Sequence, residues 1–221
     1  MLLRCFLKFA LLAVFAVFSV PISTIASEAI TLPDVPVRGC RGERAKLYDE
    51  CGSQIAIFTD AQSRAKETGK VLLVSYGAEW CIWCHVFEAY VKGGHTELEY
   101  TYSDPADEER YTSTFFERAN RDPNSEALKL STYFAEAFVL VHIESRYSKD
   151  GYEVLEMTQA DLHFDGGLPF IFTLKPNGQF AAAFNSTGIE TRREFIDWYR
   201  GYDRKNLTIE LMRLQKRAIA K

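Results

Sequence analysis

Apolar and polar positions along this chain alternate between long unbroken runs and helix-like spacing. Val71-Leu72-Leu73-Val74-Ser75-Tyr76 and Ala137-Phe138-Val139-Leu140-Val141-His142-Ile143 are nearly continuous apolar runs. That is the pattern of strands covered on both faces. Between them lies the helix-like stretch His85-Val86-Phe87-Glu88-Ala89-Tyr90-Val91, and strand, helix, strand in that order predicts a parallel crossover pair. Leu168-Pro169-Phe170-Ile171-Phe172-Thr173-Leu174 then runs through Lys175-Pro176-Asn177-Gly178 into a second apolar run to Phe184, and Asn-Gly between two such runs signals a hairpin. Thr59 or Asp60 is the expected cap of a short helix reaching about Lys66 and closed by Gly69. Residues 191–202 read as a helix with Phe195, Ile196, Trp198 and Tyr199 available for a buried face. From about Leu207 a basic helix places Leu207, Leu211 and Leu214 at helical spacing among Arg213, Lys216 and Arg217. Packing on its own domain is expected of that helix, with a membrane or partner contact as the alternative.

The two ends of the chain differ in character from its middle. Arg4 and Lys8 precede an unbroken apolar run over residues 9–18, and Pro21 and Ser23 lead to small residues. This reads as a signal peptide over residues 1–26 with cleavage after Ala26, the run being short against the roughly 20 apolar residues of a spanning helix. Beyond it, Pro33, Pro36, Gly39 and Gly42 break any long period. Residues 27–54 therefore form an N-terminal arm ahead of a single domain over residues 55–203, and residues 204–221 form the basic C-terminal helix.

Cys81-Ile82-Trp83-Cys84 stands where the first apolar run hands over to the helix. Two cysteines three positions apart at a helix start share a face one turn apart and can close a disulfide. The first sulfur lies beside the unpaired N–H groups and positive dipole end of the helix, which favour thiolate over thiol. Thiol–disulfide exchange needs that arrangement: a thiolate attacks a foreign disulfide and a neighbouring thiol resolves the mixed intermediate. Without the signal segment Cys5 is lost, and Cys40, Cys51, Cys81 and Cys84 remain. An even set in an exported protein invites pairing, and three connectivities are open. The helix favours Cys81–Cys84, leaving Cys40–Cys51 as a structural bridge or as a second redox relay.

Loss of Arg4 and Lys8 also moves the formal net charge away from the −4 of the full chain, further to the acidic side. An acidic exported protein without a basic stripe is a poor nucleic-acid binder. Much of the negative charge is concentrated: residues 97–126 hold nine acidic side chains against three arginines, interleaved with Tyr100, Tyr102, Tyr111, Phe115 and Phe116. This insertion, about residues 93–134, is expected to fold as helices against the domain. Its acidic face is either plainly solvated or a rim that selects partners beside the dithiol.

Ala78-Glu79-Trp80-Cys81-Ile82-Trp83-Cys84 after a buried strand, Gly166-Gly167-Leu168-Pro169 opening a hairpin, and a closing helix together resemble the thioredoxin superfamily, close to its exported members. The likeness covers roughly residues 55–202, interrupted by the insertion. It implies an α/β thioredoxin fold: a central mixed sheet flanked by helices, here with a helical insertion after the dithiol helix and an N-terminal extension. It implies that Cys81 is the exposed nucleophile, Cys84 the buried resolving thiol and Pro169 a cis-proline. Leu168 would pair its backbone with an extended substrate, and Trp80 and Trp83 would belong to the docking surface. No cofactor is implied. The partners would be disulfide-bearing or dithiol exported proteins, with a further redox partner, free in the periplasm or membrane-bound, that recycles the dithiol. Two departures from the pattern matter. Ser75 stands where many relatives carry a buried acid, and Ile82-Trp83 lacks the histidine of strongly oxidising relatives, His85 following Cys84 instead. A histidine between the sulfurs would stabilise the thiolate, so its absence points towards a reductase or isomerase. A copper(I) chaperone using Cys81, Cys84 and either His85 or His163 is the metal alternative. A non-catalytic binding module with a stapling disulfide is the third. His95 and His142 have ordinary loop and strand readings.

Overall fold

A computed structural model describes residues 45, 47–93, 98–104, 109–115, 125–193 and 196–220, with backbone alone for residues 98–104, 109–115, 192–193 and 196–200. The signal-peptide segment 1–26, Cys40 and most of the arm lie outside the described residues. The elements run α1 (Gln54–Thr68), β1 (Val71–Gly77), α2 (Ile82–Val91), β2 (Leu98–Asp104), β3 (Glu109–Phe115), α3 (Glu126–Ala137) and β4 (Phe138–Glu144). There follow α4 (Gly151–Thr158), a 3-10 turn (Asp161–His163), β5 (Phe170–Leu174), β6 (Phe180–Ala183), β7 (Glu190–Arg193), β8 (Ile196–Tyr202) and α5 (Arg204–Ile219).

The main sheet has the order β4-β1-β5-β6, with β1 parallel to β4 and antiparallel to β5. This is an α/β fold, a mixed sheet flanked by helices, consistent with a thioredoxin-like architecture. Every residue of β1 is buried, as its unbroken apolar run requires, and the two-residue period divides its side chains between two cores. Val71 and Leu73, with Phe138, Leu140 and Ile171, pack under α2, α3 and α5. Leu72, Val74 and Tyr76, with Val141, Ile143 and Phe172, pack under α1 and α4. Ser75, Gly77 and His142 share the parity of the first set, and Ser75 is the register partner of His142. Two polar side chains therefore lie side by side on the sheet face that carries the dithiol helix.

Local chemistry accounts for the helix ends. Ser53 caps α1 by accepting from the Ala56 N–H at 3.3 Å, nearly two turns before the expected cap at Thr59 or Asp60. The earlier start is reinforced by Asp150, which accepts from the Ser53 hydroxyl at 2.6 Å and the Gln54 N–H at 3.1 Å. Gly69 closes α1 at φ 67°, a left-handed conformation that suits glycine. Asp203 caps α5 through the Asn206 N–H at 2.8 Å. Leu207, Leu211 and Leu214 are fully buried against the first core, so the basic helix packs on its own domain.

Two expected helices are strands instead. The insertion after the dithiol helix holds the antiparallel hairpin β2–β3, and among its described residues the helix is α3 at its end. Tyr100-Thr101-Tyr102-Ser103 and Tyr111-Thr112-Ser113-Thr114 are rich in β-branched and aromatic residues, and that preference outweighs the acidic composition read as helical. Over 191–202, where a helix is expected, Glu190–Arg193 and Ile196–Tyr202 pair as the antiparallel strands β7 and β8. Ile196, Trp198 and Tyr202 recur at even spacing, a period-two pattern that a helical reading of the same aromatics overlooks. Among the described residues no helix is long and apolar enough to cross a membrane.

Candidate active site

β1 ends at Gly77 and the chain turns through Ala78, whose carbonyl accepts from the Cys81 N–H at 3.0 Å. Cys81 is the N-cap of α2: its carbonyl accepts from the Cys84 N–H at 3.0 Å and its sulfur accepts from the same N–H at 3.2 Å. A thiolate at Cys81 would thus sit at the helix N-terminus with a donor already aimed at it. Cys81 and Cys84 form a disulfide with their Cα atoms 5.3 Å apart. The Leu168–Pro169 peptide is cis, and Leu168 packs in the same apolar cluster as both cysteines, together with Trp80 and Trp83. Trp83 also lays its ring against Tyr202 at 5.3 Å. The Arg146 guanidinium lies over Trp80 at 5.9 Å.

The exposed nucleophile expected at Cys81 is covered in this state. Cys81 is only 4% exposed and Cys84 not at all. Leu47 and Tyr48 of the arm, both buried, belong to the same apolar cluster as the two sulfurs, with Ala78, Trp80, Trp83 and Leu168. Glu79 fastens these two arm residues. Its buried carboxylate accepts from the backbone N–H groups of Leu47 at 2.9 Å and Tyr48 at 3.0 Å. Two hydrogen bonds from consecutive amides to one carboxylate hold this short segment in addition to its apolar packing. Below this clasp Asp49 accepts from the Gly52 N–H at 2.7 Å, and Gln54 donates to the Asp49 carbonyl at 2.7 Å. Cys51 is disulfide-bonded, while Cys40, the partner expected for it, lies outside the described residues.

Behind Cys84 the sheet face is polar. Ser75 and the Tyr48 hydroxyl share a 2.9 Å hydrogen bond in which either can donate. The Tyr48 ring meets the edge of His142 at a centroid distance of 5.0 Å. Burial pushes the Tyr48 phenol far above its ordinary range, so it is a hydrogen-bond donor and not a base. His142 is fully buried, and neither ring nitrogen has a hydrogen-bond partner among the described residues. Burial, with His85 and Lys92 nearby, pushes its imidazole down to about 3. Glu88 lies one turn after Cys84 on the inner side of α2, 4.0 Å from His142 Nε2, and pairs with Lys92 at 2.5 Å. Burial raises the Glu88 carboxyl, partly offset by Lys92.

Matched against models of known protein families, the chain fits none. It has no significant sequence match among curated proteins.

The structure brings Cys81, Cys84, Trp80, Trp83, Leu168, Pro169 and Ser75 to one end of the sheet. The two histidines offered as copper ligands are engaged with other groups. His163 is exposed and stacks on Phe180 at 4.0 Å, and His85 Nε2 lies 2.7 Å from the Glu79 carbonyl oxygen. Among the described residues no three histidine, cysteine or acidic side chains are grouped to hold a metal ion. Tyr48, Glu79, Glu88 and His142 do not stand out as site residues in the sequence. Glu88 was accessible through its i,i+4 spacing from Cys84, and His142 as the polar interruption of an apolar strand. Tyr48 carried no signal, because nothing local says that an irregular arm folds back over a site some thirty residues downstream.

Proposed function

We propose that this chain is an exported member of the thioredoxin superfamily that catalyses thiol–disulfide exchange through Cys81 and Cys84, acting as a reductase or isomerase rather than a strong oxidant. The observation that carries the proposal is a disulfide across the first turn of α2, its N-cap sulfur facing the Cys84 N–H, in one cluster with Leu168 of the cis Leu168–Pro169 peptide. In the reduced protein the Cys81 thiolate attacks a disulfide of an exported protein, releasing one substrate thiolate and forming a mixed disulfide. Cys84, deprotonated, attacks Cys81 Sγ, expels the second substrate thiolate and restores the Cys81–Cys84 bond. A dithiol protein, soluble or membrane-bound, then reduces that bond and leaves as its own disulfide. The backbone of Leu168 is the docking edge for an extended substrate, beside Trp80 and Trp83. Ile82 and Trp83 place no charge between the sulfurs, which favours the reducing direction. The buried Leu47–Tyr48 cover has to shift before a polypeptide reaches Cys81, so catalysis includes an opening step of the arm.

Insulin reduction by the protein without residues 1–26, compared with Cys81→Ser, tests this. Turnover that disappears in Cys81→Ser is the expected result; equal rates with and without the thiol would overturn it.

A further inference from the structure

A cysteine of a redox pair presents two different acceptors to its surroundings: a disulfide sulfur accepts hydrogen bonds poorly, a thiolate strongly. Whatever donor stands behind Cys84 therefore helps to set the balance between the two states. The structure supplies one from an unexpected place. A Cβ on Gly77 would lie 2.5 Å from the Tyr48 hydroxyl oxygen and 2.6 Å from Cys84 Sγ. The phenol and the sulfur thus face the same point across a backbone position that has no side chain. The Tyr48 ring is completely buried and its backbone N–H is held by Glu79. The hydroxyl is bonded to Ser75 at 2.9 Å. In the disulfide state Ser75 is thus the partner that keeps a buried hydroxyl satisfied.

We propose that Tyr48 is a positioning residue for the redox couple: its hydroxyl exchanges partners, resting on Ser75 while Cys81 and Cys84 are joined and donating to the Cys84 sulfur once they are reduced. The balance of the step is simple. A donor dithiol gives two electrons and two protons, the Cys81–Cys84 bond breaks, and the donor leaves as a disulfide. The electron pair of the broken bond stays on Cys84, which leaves as a thiolate when the donor's sulfur attacks Cys81; the donor's protons pass to solvent from its own thiols, and the Tyr48 O–H turns from Ser75 to the Cys84 sulfur. No atom of Tyr48 is consumed. The N-terminal arm is on this account part of the redox machinery and not only a cover. Ser75, in place of a buried acid, is the resting acceptor that makes the exchange possible.

The proposal rests on the redox role proposed for Cys81 and Cys84, and it makes two substitutions act in opposite directions. Tyr48→Phe keeps the ring but removes the donor to the reduced sulfur, so the reduced state is disfavoured. Ser75→Ala leaves the phenol without its resting partner in the disulfide state, so the oxidised state is disfavoured. Hydrogen bonds to charged groups and unsatisfied buried donors are each worth roughly 1.4 kcal/mol or more, so each substitution should move the equilibrium constant with glutathione about tenfold, or about 30 mV for two electrons. Equilibration of the wild-type protein and both variants across a glutathione series reads this directly. The expected result is a more reducing couple in Tyr48→Phe and a more oxidising one in Ser75→Ala. Unchanged potentials, or shifts of both variants in the same direction, would overturn the role of Tyr48 and leave the redox reading intact. A wild-type disulfide that never equilibrates with glutathione would overturn both.

Discussion

His142 makes the fold acid-sensitive in a way that one substitution removes. Its imidazole is fully buried and pushed down to about 3, from an ordinary value of 6.5. The native state keeps it neutral through the mildly acidic range, whereas the unfolded chain takes up a proton there. The unfolded state then binds more protons, so stability falls as pH drops below 6.5 and goes on falling until about 3. The slope for one such group is about 1.4 kcal/mol per pH unit, or about 2 kcal/mol between pH 6.5 and 5. His142→Phe keeps a ring against Tyr48, and neither imidazole nitrogen makes a hydrogen bond to the described residues that would be missed. Glu88 works the other way. Its folded-state carboxyl is raised above 4.5, so its contribution is present at low pH and lost as pH rises through the raised value. Urea unfolding at pH 7 and pH 5, in the wild type and in a Glu88→Gln background, separates the two groups. His142→Phe should lose about 2 kcal/mol less than its parent over that interval. A variant that lost as much as its parent would refute the assignment of a neutral buried imidazole.

Three further outcomes are expected from the same geometry. Glu88→Gln should stabilise the protein at neutral pH, since the charge is buried at net cost despite Lys92, and the gain over wild type should vanish as pH falls towards 4.5; a constant offset in urea midpoint across pH would contradict this. Leu47→Ala removes a buried side chain of the arm, with an expected loss of about 2 kcal/mol and a several-fold faster reduction of Cys81–Cys84 by dithiothreitol; an unchanged rate would mean that the arm does not gate the sulfur. Gly77→Ala would put a methyl group 2.5 Å from the Tyr48 hydroxyl and 2.6 Å from Cys84 Sγ, and the forced displacement should destabilise by about 1–3 kcal/mol, measurable as a lowered melting temperature. A wild-type melting curve for that variant would show that the phenol and the sulfur are not held together.

Elements defined by short-range pattern were legible in the sequence, and those defined by long-range packing were not. The buried strands β1 and β4, the Asn177-Gly178 hairpin, the Gly69 stop and the buried leucines of α5 all come from spacing and turn chemistry, and they appear where expected. The Cys81–Cys84 pairing belongs to the same class, since a helix start alone brings the sulfurs together. The two hairpins read as helices failed for a common reason. Aromatic residues spaced for a helix face also fit a pleated strand, and charge density says little about which is chosen. The start of α1 failed differently, because Ser53 is chosen as cap with the help of Asp150, nearly a hundred positions away. The burial of Cys81 failed most instructively. Glu79 reads in the sequence only as part of a motif, but its carboxylate gathers the amides of Leu47 and Tyr48 and so brings the arm onto the site.

That clasp ties access and redox balance to one segment. Leu47 shares the apolar cluster of Cys81, and the adjacent Tyr48 carries the hydroxyl that faces the same point as Cys84 Sγ, with both amides bound to the same carboxylate. If an incoming chain displaces Leu47 it pulls on Tyr48 as well, since consecutive Cα atoms are fixed about 3.8 Å apart. Under the role proposed for Tyr48, the movement that uncovers Cys81 then loosens the donor that favours the reduced pair, and the couple becomes more reducing just when a substrate disulfide is within reach. Closure after release has the opposite effect and makes the disulfide easier for a donor dithiol to reduce. A Glu79→Gln variant, with a weaker acceptor for the two amides, should therefore gain reactivity at Cys81 and shift towards Tyr48→Phe in its equilibrium with glutathione. A gain in reactivity with no movement of that equilibrium would separate the two roles and show that Leu47 opens without Tyr48.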